Sequence, residues 1–209
     1  MQLIGYYESP FVRRIGVTLM LYGIPFEQRA VATSDRATVE PHNPLGRIPA
    51  LVLDDGAGGG EALIDSTMIL DHLDELVDPG KALTPRSGAD RRAVNRLVAV
   101  ALGVCEKYVA AYYEQTKRPE SHLWAPWLDR LEEQVQAGLR YLEDAVRGPY
   151  LRGDRMTQAD VTAICALDSI RFDMAHLAPK GMFPKLEALV ASVADMEAFR
   201  ATSPGQPTV

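Results

Sequence analysis

The sequence predicts an α/β domain with a mixed four-stranded sheet, followed by an all-α helical bundle domain. Three observations carry this expectation. Residues 1–79 alternate strand and helix patterns in the order β-α-β, an ambiguous stretch, then β-β-α. Residues 80–87 form a linker, within a run of breakers that reads Asp78-Pro79-Gly80-Lys81-Ala82-Leu83-Thr84-Pro85-Arg86-Ser87. Residues 88–209 carry only helical periodicities. Charge divides along the same line. Residues 1–80 hold 5 Arg, no Lys and 12 acidic residues, a net of −7, while residues 81–209 sum to +1. Such asymmetry suits two modules.

Each element has a local reason. Leu3 to Tyr7 is a short apolar run of strand type. Ser9-Pro10 opens a helix, because serine is a good N-cap and proline is pre-set for the first helical position. Val12, Ile15, Leu19 and Tyr22 follow at helical spacing, and Gly23 then Pro25 stop the helix. Phe26 to Ala32 suits a second strand, and 34–43 is polar and ambiguous. A strand-helix-strand start implies parallel pairing through a right-handed crossover. Ile48 to Leu53 reads as a strand with proline near its start, 54–60 as a glycine-rich turn, and Glu61 to Ile64 as the return arm of a hairpin. Asp65-Ser66 caps a helix carrying Ile69, Leu70, Leu73 and Leu76.

Beyond the linker, Leu97 to Tyr113 is a long apolar helix. Trp124, Trp127, Leu131, Val135, Leu139, Leu142 and Val146 recur every three or four residues, the mark of an amphipathic helix that Gly148-Pro149 stops. Thr157-Gln158-Ala159-Asp160 resembles a capping box with Asp in place of Glu. The helix it opens, Val161 to Phe172, is apolar nearly all round and so is expected to be central and buried. Pro184 to Phe199 reads as a last helix, and Ser203 to Val209 as a frayed tail.

Composition narrows the function classes. The chain has 209 residues, 47% hydrophobic and 24% charged, with a net charge of −6 and two cysteines. These values fit a soluble globular protein with ample core. No apolar run approaches the ~20 residues that span a bilayer, and the first residues lack the basic and apolar regions of a leader. The expectation is a cytoplasmic protein without a membrane partner. Net acidity argues against nucleic acid. Cys105 and Cys165 fall in apolar helices as small hydrophobes rather than as a disulfide framework. His42, His72, His122 and His176 lack metal-ligand spacing, so no metal is expected. The glycine run at 56–60 opens no helix and is no phosphate loop.

Three short segments can carry chemistry. Ser9 follows a strand and sits at the positive end of a helix, a place that stabilises an anion. Ser9-Pro10-Phe11-Val12 excludes the dithiol exchange that Cys-x-x-Cys would perform there. Two readings of Ser9 stand: a helix cap, or a hydroxyl donor to a thiolate brought by a ligand. Asn43-Pro44-Leu45-Gly46-Arg47-Ile48-Pro49 is either an ordinary turn or a cis-proline turn that aims the Ile48 backbone outward at an extended peptide. Asp65-Ser66 is either a simple cap or a helix start that takes a carboxylate through its hydroxyl and an amine through Asp65.

Together, in this order, the three segments resemble those of the soluble glutathione transferase superfamily: a thioredoxin-like domain followed by a helical domain. Ser9-Pro10-Phe11-Val12-Arg13-Arg14 is similar to the serine-type members, tau-like and bacterial. Gly153-Asp154 before Thr157 to Asp160 matches the family's helical-domain capping box, so the resemblance covers nearly the whole chain. It implies glutathione as co-substrate, no metal, a small hydrophobic electrophile, and a homodimer with a detoxification role. It implies Ser9 as donor to the glutathione sulfur, and Ile48 as backbone partner of the cysteinyl unit, presented by cis Pro49. Asp65 and Ser66 would hold the γ-glutamyl amine and carboxylate, and Arg47 the glycyl carboxylate. Tyr6 is a rival donor, since some relatives use a tyrosine from the end of the first strand. Tyr6 and Tyr7 would point to opposite faces of that strand. The co-substrate pocket is expected between the domains, with Phe11, Tyr108, Tyr112 and Tyr113 as candidates that would equally serve as core. The competing expectation is a regulatory or binding protein that keeps the fold without turnover.

Overall fold

The computed structural model describes residues 1–54, 56 and 60–205. Parts of the expected turn at 54–60 and of the tail at 203–209 therefore lie outside the described residues. The chain divides into two compact units: Met1–Arg86 together with Ala194–Val209, and Ser87–Val193.

In the first unit, β1 (Gln2–Ile4), β2 (Glu27–Arg29), β3 (Ala50–Val52) and β4 (Ala62–Ile64) form a mixed sheet of order β2-β1-β3-β4. β2 lies parallel to β1, with Gln2 opposite Glu27, while β3 is antiparallel to both β1 and β4. The strands are shorter than the segments expected from the sequence. β1 ends at Ile4 because Gly5 turns to φ 129, so Tyr6 and Tyr7 lie in a turn and not on a strand.

α1 (Pro10–Tyr22) joins β1 to β2. It stops at Gly23, which adopts φ 65 and donates back to the last turn. The ambiguous stretch contains one short helix, α2 (Arg36–Val39), and α3 (Ser66–Glu75) follows β4. Leu3 and Leu51 from the sheet meet Val12, Ile15 and Leu19 of α1 and Ile69, Leu70 and Leu73 of α3 in one core. The Tyr22 hydroxyl fastens this unit to its outgoing chain, donating to Asp74 and accepting from the Leu83 N–H at 2.7 Å.

The second unit is helical: α4 (Gly88–Thr116), α5 (Ala125–Ala145), α6 (Gln158–Asp173) and α7 (Pro184–Val193). α4 extends beyond its apolar centre at both ends. α5 buries Leu131, Val135, Leu139 and Leu142, whereas Trp124 and Trp127 stay exposed. α6 is buried over almost its whole length, as an all-round apolar helix must be. Cys105 and Cys165 are buried and unlinked.

The expected last helix is two helices, α7 and α8 (Glu197–Arg200). Their apolar faces have different destinations. Leu186, Leu189 and Val193 bury in the helical unit, while Ala198 and Phe199 belong with the sheet unit, where α8 packs on α1. Among the described residues, no helix is long and apolar enough to cross a membrane.

Candidate functional site

Strand register decides what can meet. Ile4, the last residue of β1, lies opposite Ala50, the first of β3, and Ala50 lies opposite Ile64, the last of β4. Three chain segments therefore leave the same end of the sheet: 5–9 after β1, 48–49 before β3, and 65–66 after β4. Ser9, Ile48-Pro49 and Asp65-Ser66 are all carried there by backbone pairing of short strands.

Gly5 tightens this end. A Cβ on it would lie 2.6 Å from Val12 Cγ2 and 3.1 Å from Ile48 Cβ. Only a residue without a side chain admits this approach, and φ 129 requires glycine as well. Ile48 is thus packed directly against the turn that leads to Ser9. The Ile48–Pro49 peptide is cis.

Buried Asn43 holds the preceding loop. Its Nδ2 donates to the Arg47 carbonyl at 2.8 Å, and its Oδ1 accepts from the Leu45 N–H at 3.0 Å. The Arg47 side chain is exposed. Nothing in sequence spacing singles out Asn43, but an Asn that bonds its own backbone two residues on is a recognisable turn signal.

Ser9 is the N-cap residue of α1 and is half-buried, yet its side chain makes no capping hydrogen bond. Its carbonyl receives the Val12 and Arg13 N–H groups at 3.1 and 2.9 Å. Pro10 occupies the start of the helix, where a missing N–H costs nothing. The cap reading of Ser9 therefore applies to its backbone and not to its hydroxyl.

At the third segment, Asp65 is exposed and adopts φ 66, a left-handed conformation in a residue with a side chain. Its Oδ1 accepts from the Thr67 N–H at 2.7 Å. Ser66, the first residue of α3, is 5% exposed and accepts a hydrogen bond from Arg14 Nη1 at 3.1 Å. Arg13 and Arg14 are both 1% exposed, and Arg13 Nη2 donates to the Phe199 carbonyl at 3.3 Å. In the sequence the two arginines were only part of a motif. Adjacent cations between the core positions Val12 and Ile15 are the signal that marks them, because buried charge must be paired or hydrogen-bonded.

The tyrosines separate by environment. Tyr7 packs over Gly16, where a Cβ would fall 2.5 Å from its Cε1, and burial pushes its hydroxyl up to about 12. It stays un-ionised at neutral pH. Tyr6 is half-buried in the same turn. Phe11 is half-buried on α1, and Tyr112 is half-buried on α4 beside Tyr113, with ring centroids 6.0 Å apart. Tyr108 is 2% exposed, and its hydroxyl donates to Asp173 at 2.9 Å within the helical unit. Burial first, then the Asp173 charge, pushes its ionisation upward. Among the described residues, no group of three His, Cys, Asp or Glu side chains is placed to hold a metal ion.

Comparison with known proteins fits this geometry. The glutathione S-transferase N-terminal domain family matches residues 3–81, and the C-terminal domain of the same family matches residues 104–201. The GST-like protein YibF of Escherichia coli (strain K12) is 30% identical over 208 residues, spanning 98% of each chain. The chain belongs to the glutathione S-transferase family. It is also similar to the maleylpyruvate isomerase of a Ralstonia species, 27% identical over 98% of this chain and 97% of that one. A glutathione S-transferase from Methylobacillus flagellatus, solved with glutathione bound, superposes with a TM-score of 0.89 at 30% identity, covering 97% and 98% of the two chains.

Proposed function

We propose that this chain is a glutathione-dependent transferase of the serine type, whose Ser9 hydroxyl holds the glutathione sulfur as a thiolate for attack on a small apolar electrophile. The observation that carries the reading is the Ile4–Ala50–Ile64 register, which delivers all three candidate segments to one end of the sheet. A hydroxyl left out of capping at the α1 start supports the role given to Ser9. In this reading the Ile48 backbone pairs with the cysteinyl unit. Asp65 takes the γ-glutamyl amine, Ser66 its carboxylate, and Arg47 the glycyl carboxylate. The glutathione-binding domain is the sheet unit, Met1–Arg86 with the chain from Ala194, and the helical domain is Ser87–Val193. Phe11, half-buried on α1, keeps aromatic surface for the co-substrate. The active form is a cytoplasmic homodimer.

The energetics suffice without a general base or metal. A free thiol has a pKa of about 8.5 and is only a few per cent ionised at pH 7. Lowering it by two units takes about 2.7 kcal/mol. A hydrogen bond to a charged partner contributes roughly 1.5–3 kcal/mol. A helix N-terminus adds roughly 0.3–1 kcal/mol.

A second reading is favoured by the 27% identity to a maleylpyruvate isomerase. There the same thiolate would add to a carbon–carbon double bond of an unsaturated diacid. Rotation about the resulting single bond, then elimination, would return glutathione unchanged. Both readings use Ser9; they differ in the second substrate and in whether glutathione is consumed or returned.

The test begins with retention on glutathione resin. Conjugation of an aryl halide and cis–trans isomerisation of maleylpyruvate are then assayed for the wild type, Ser9→Ala and Tyr6→Phe. Ser9→Ala is expected to lose about tenfold to a hundredfold in turnover while glutathione still binds, and Tyr6→Phe to retain it. The reverse pattern would assign activation to Tyr6. Retention without turnover on either substrate would leave a binding protein.

A further inference from the structure

Resting on the glutathione reading above, we infer that Arg14 is a positioning residue for the γ-glutamyl carboxylate of glutathione, acting through Ser66. Arg14 lies on α1 and is 1% exposed, and its Nη1 donates to Ser66 Oγ at 3.1 Å. A serine hydroxyl has one hydrogen and two lone pairs. A hydroxyl that accepts from a cation turns its own hydrogen elsewhere. At the first residue of α3, that hydrogen serves an anion arriving at the helix N-terminus. The guanidinium also places a permanent positive charge beside the Ser66 hydroxyl at the start of α3, a helix end that already favours negative ligands.

Two further observations fit this role. Asp65, next to Ser66, holds a left-handed φ of 66, and such strain persists only where the surroundings over-determine it. The Arg14–Ser66 bond is one such constraint, since it ties the start of α3 to α1. Ser9 begins that same α1, five residues earlier. One rigid helix therefore sets the positions of both the sulfur contact and, through Ser66, the carboxylate contact. A buried arginine is a poor device for stability alone, because well-packed apolar residues often replace buried ions at no loss.

The experiment compares glutathione with γ-aminobutyryl-cysteinyl-glycine, which keeps the amine and lacks only the γ-glutamyl carboxylate. Dissociation constants by calorimetry, and KM and kcat with an aryl halide, are measured for the wild type, Arg14→Gln, Ser66→Ala and the double variant. Arg14→Gln is expected to weaken glutathione about tenfold or more in Kd and KM, with kcat at saturation changed less than twofold. It should leave the decarboxylated peptide unaffected, and its effect on glutathione should vanish in the Ser66→Ala background. Equal weakening of both peptides, or of neither, overturns the inference. If Arg14→Gln does not fold, Arg14→Lys replaces it. That variant keeps the charge but loses the fork, and a severalfold rise in KM for glutathione alone is expected, an unchanged KM being the contrary result. Failure of the wild type to bind glutathione would overturn the glutathione reading itself. Binding by the wild type with unaltered variants overturns the Arg14 role only.

Discussion

Gly5 shows how closely single residues constrain the site. It separates β1 from the Ser9 turn, and the space for its missing side chain is occupied by Val12 and Ile48. Gly5→Ala adds a methyl 2.6 Å from Val12 Cγ2 at a φ of 129 that alanine avoids. The backbone or the Ile48 loop must then shift, at a cost of about 2 kcal/mol or more. The expected outcome is a lower urea midpoint together with weakened glutathione binding. Full affinity at wild-type stability would show that this packing does not shape the site. At the same scale, the α1 start at Ser9-Pro10 was legible in the sequence because N-cap preference and the following proline are local signals. Arg14 was not, because only the fold shows that a charged residue of α1 lies under the start of α3.

Helix ends show the same contrast between elements. The α6 start is a capping box in which Asp160 accepts from the Thr157 N–H at 2.7 Å and the Thr157 hydroxyl at 2.8 Å. Its other oxygen accepts from the Leu151 N–H at 2.7 Å, so the cap also anchors the loop before α6. The pattern Thr157 to Asp160 was readable in sequence, whereas the tie to Leu151 was not. Asp160 has no exposed surface, and burial raises its pKa despite these hydrogen bonds. Asp160→Asn turns an amide donor toward one set of donors. It should cost about 2–3 kcal/mol, seen as a melting temperature about 5–10 °C lower. α7 is capped from a distance: Glu143 of α5 accepts from the Lys185 and Leu186 N–H groups, each at 2.9 Å. No local pattern announces this cap, since 42 positions separate donor and acceptor in the first bond.

For the whole molecule, the balance of buried and bridged carboxyls sets the response to acid. Glu187 accepts from the Gly181 N–H at 2.7 Å and from Arg171 Nη2 at 2.6 Å, which hold its carboxyl below the usual range. A folded-state pKa below the unfolded one means stability that is present above the ordinary pKa of about 4.3 and lost as pH falls through the lowered value. Asp74 and Asp160 have the opposite sign. Burial raises both, so their contribution is present below the ordinary carboxylate range and declines as pH rises toward the raised values. Glu187→Gln should therefore flatten the acid limb of stability, measured as urea midpoints between about pH 6 and pH 3. A slope equal to that of the wild type would count against this assignment.

The sequence by itself determined the alternation of elements before the linker, the helical character of the chain after it, and the three short segments that stand as candidates to carry chemistry. Those signals are local: cap residues, breakers and periodicities act within a few positions. Tertiary structure alone decided the short strands and their register, the buried roles of Arg13, Arg14 and Asn43, and the split of the last helix. It also decided that residues 194–205 group with the sheet unit, where Arg13 meets the Phe199 carbonyl across 186 positions. Such partners are chosen by which apolar faces bury together and which polar groups must be satisfied once they do. Neither condition exists until distant segments of the chain have met.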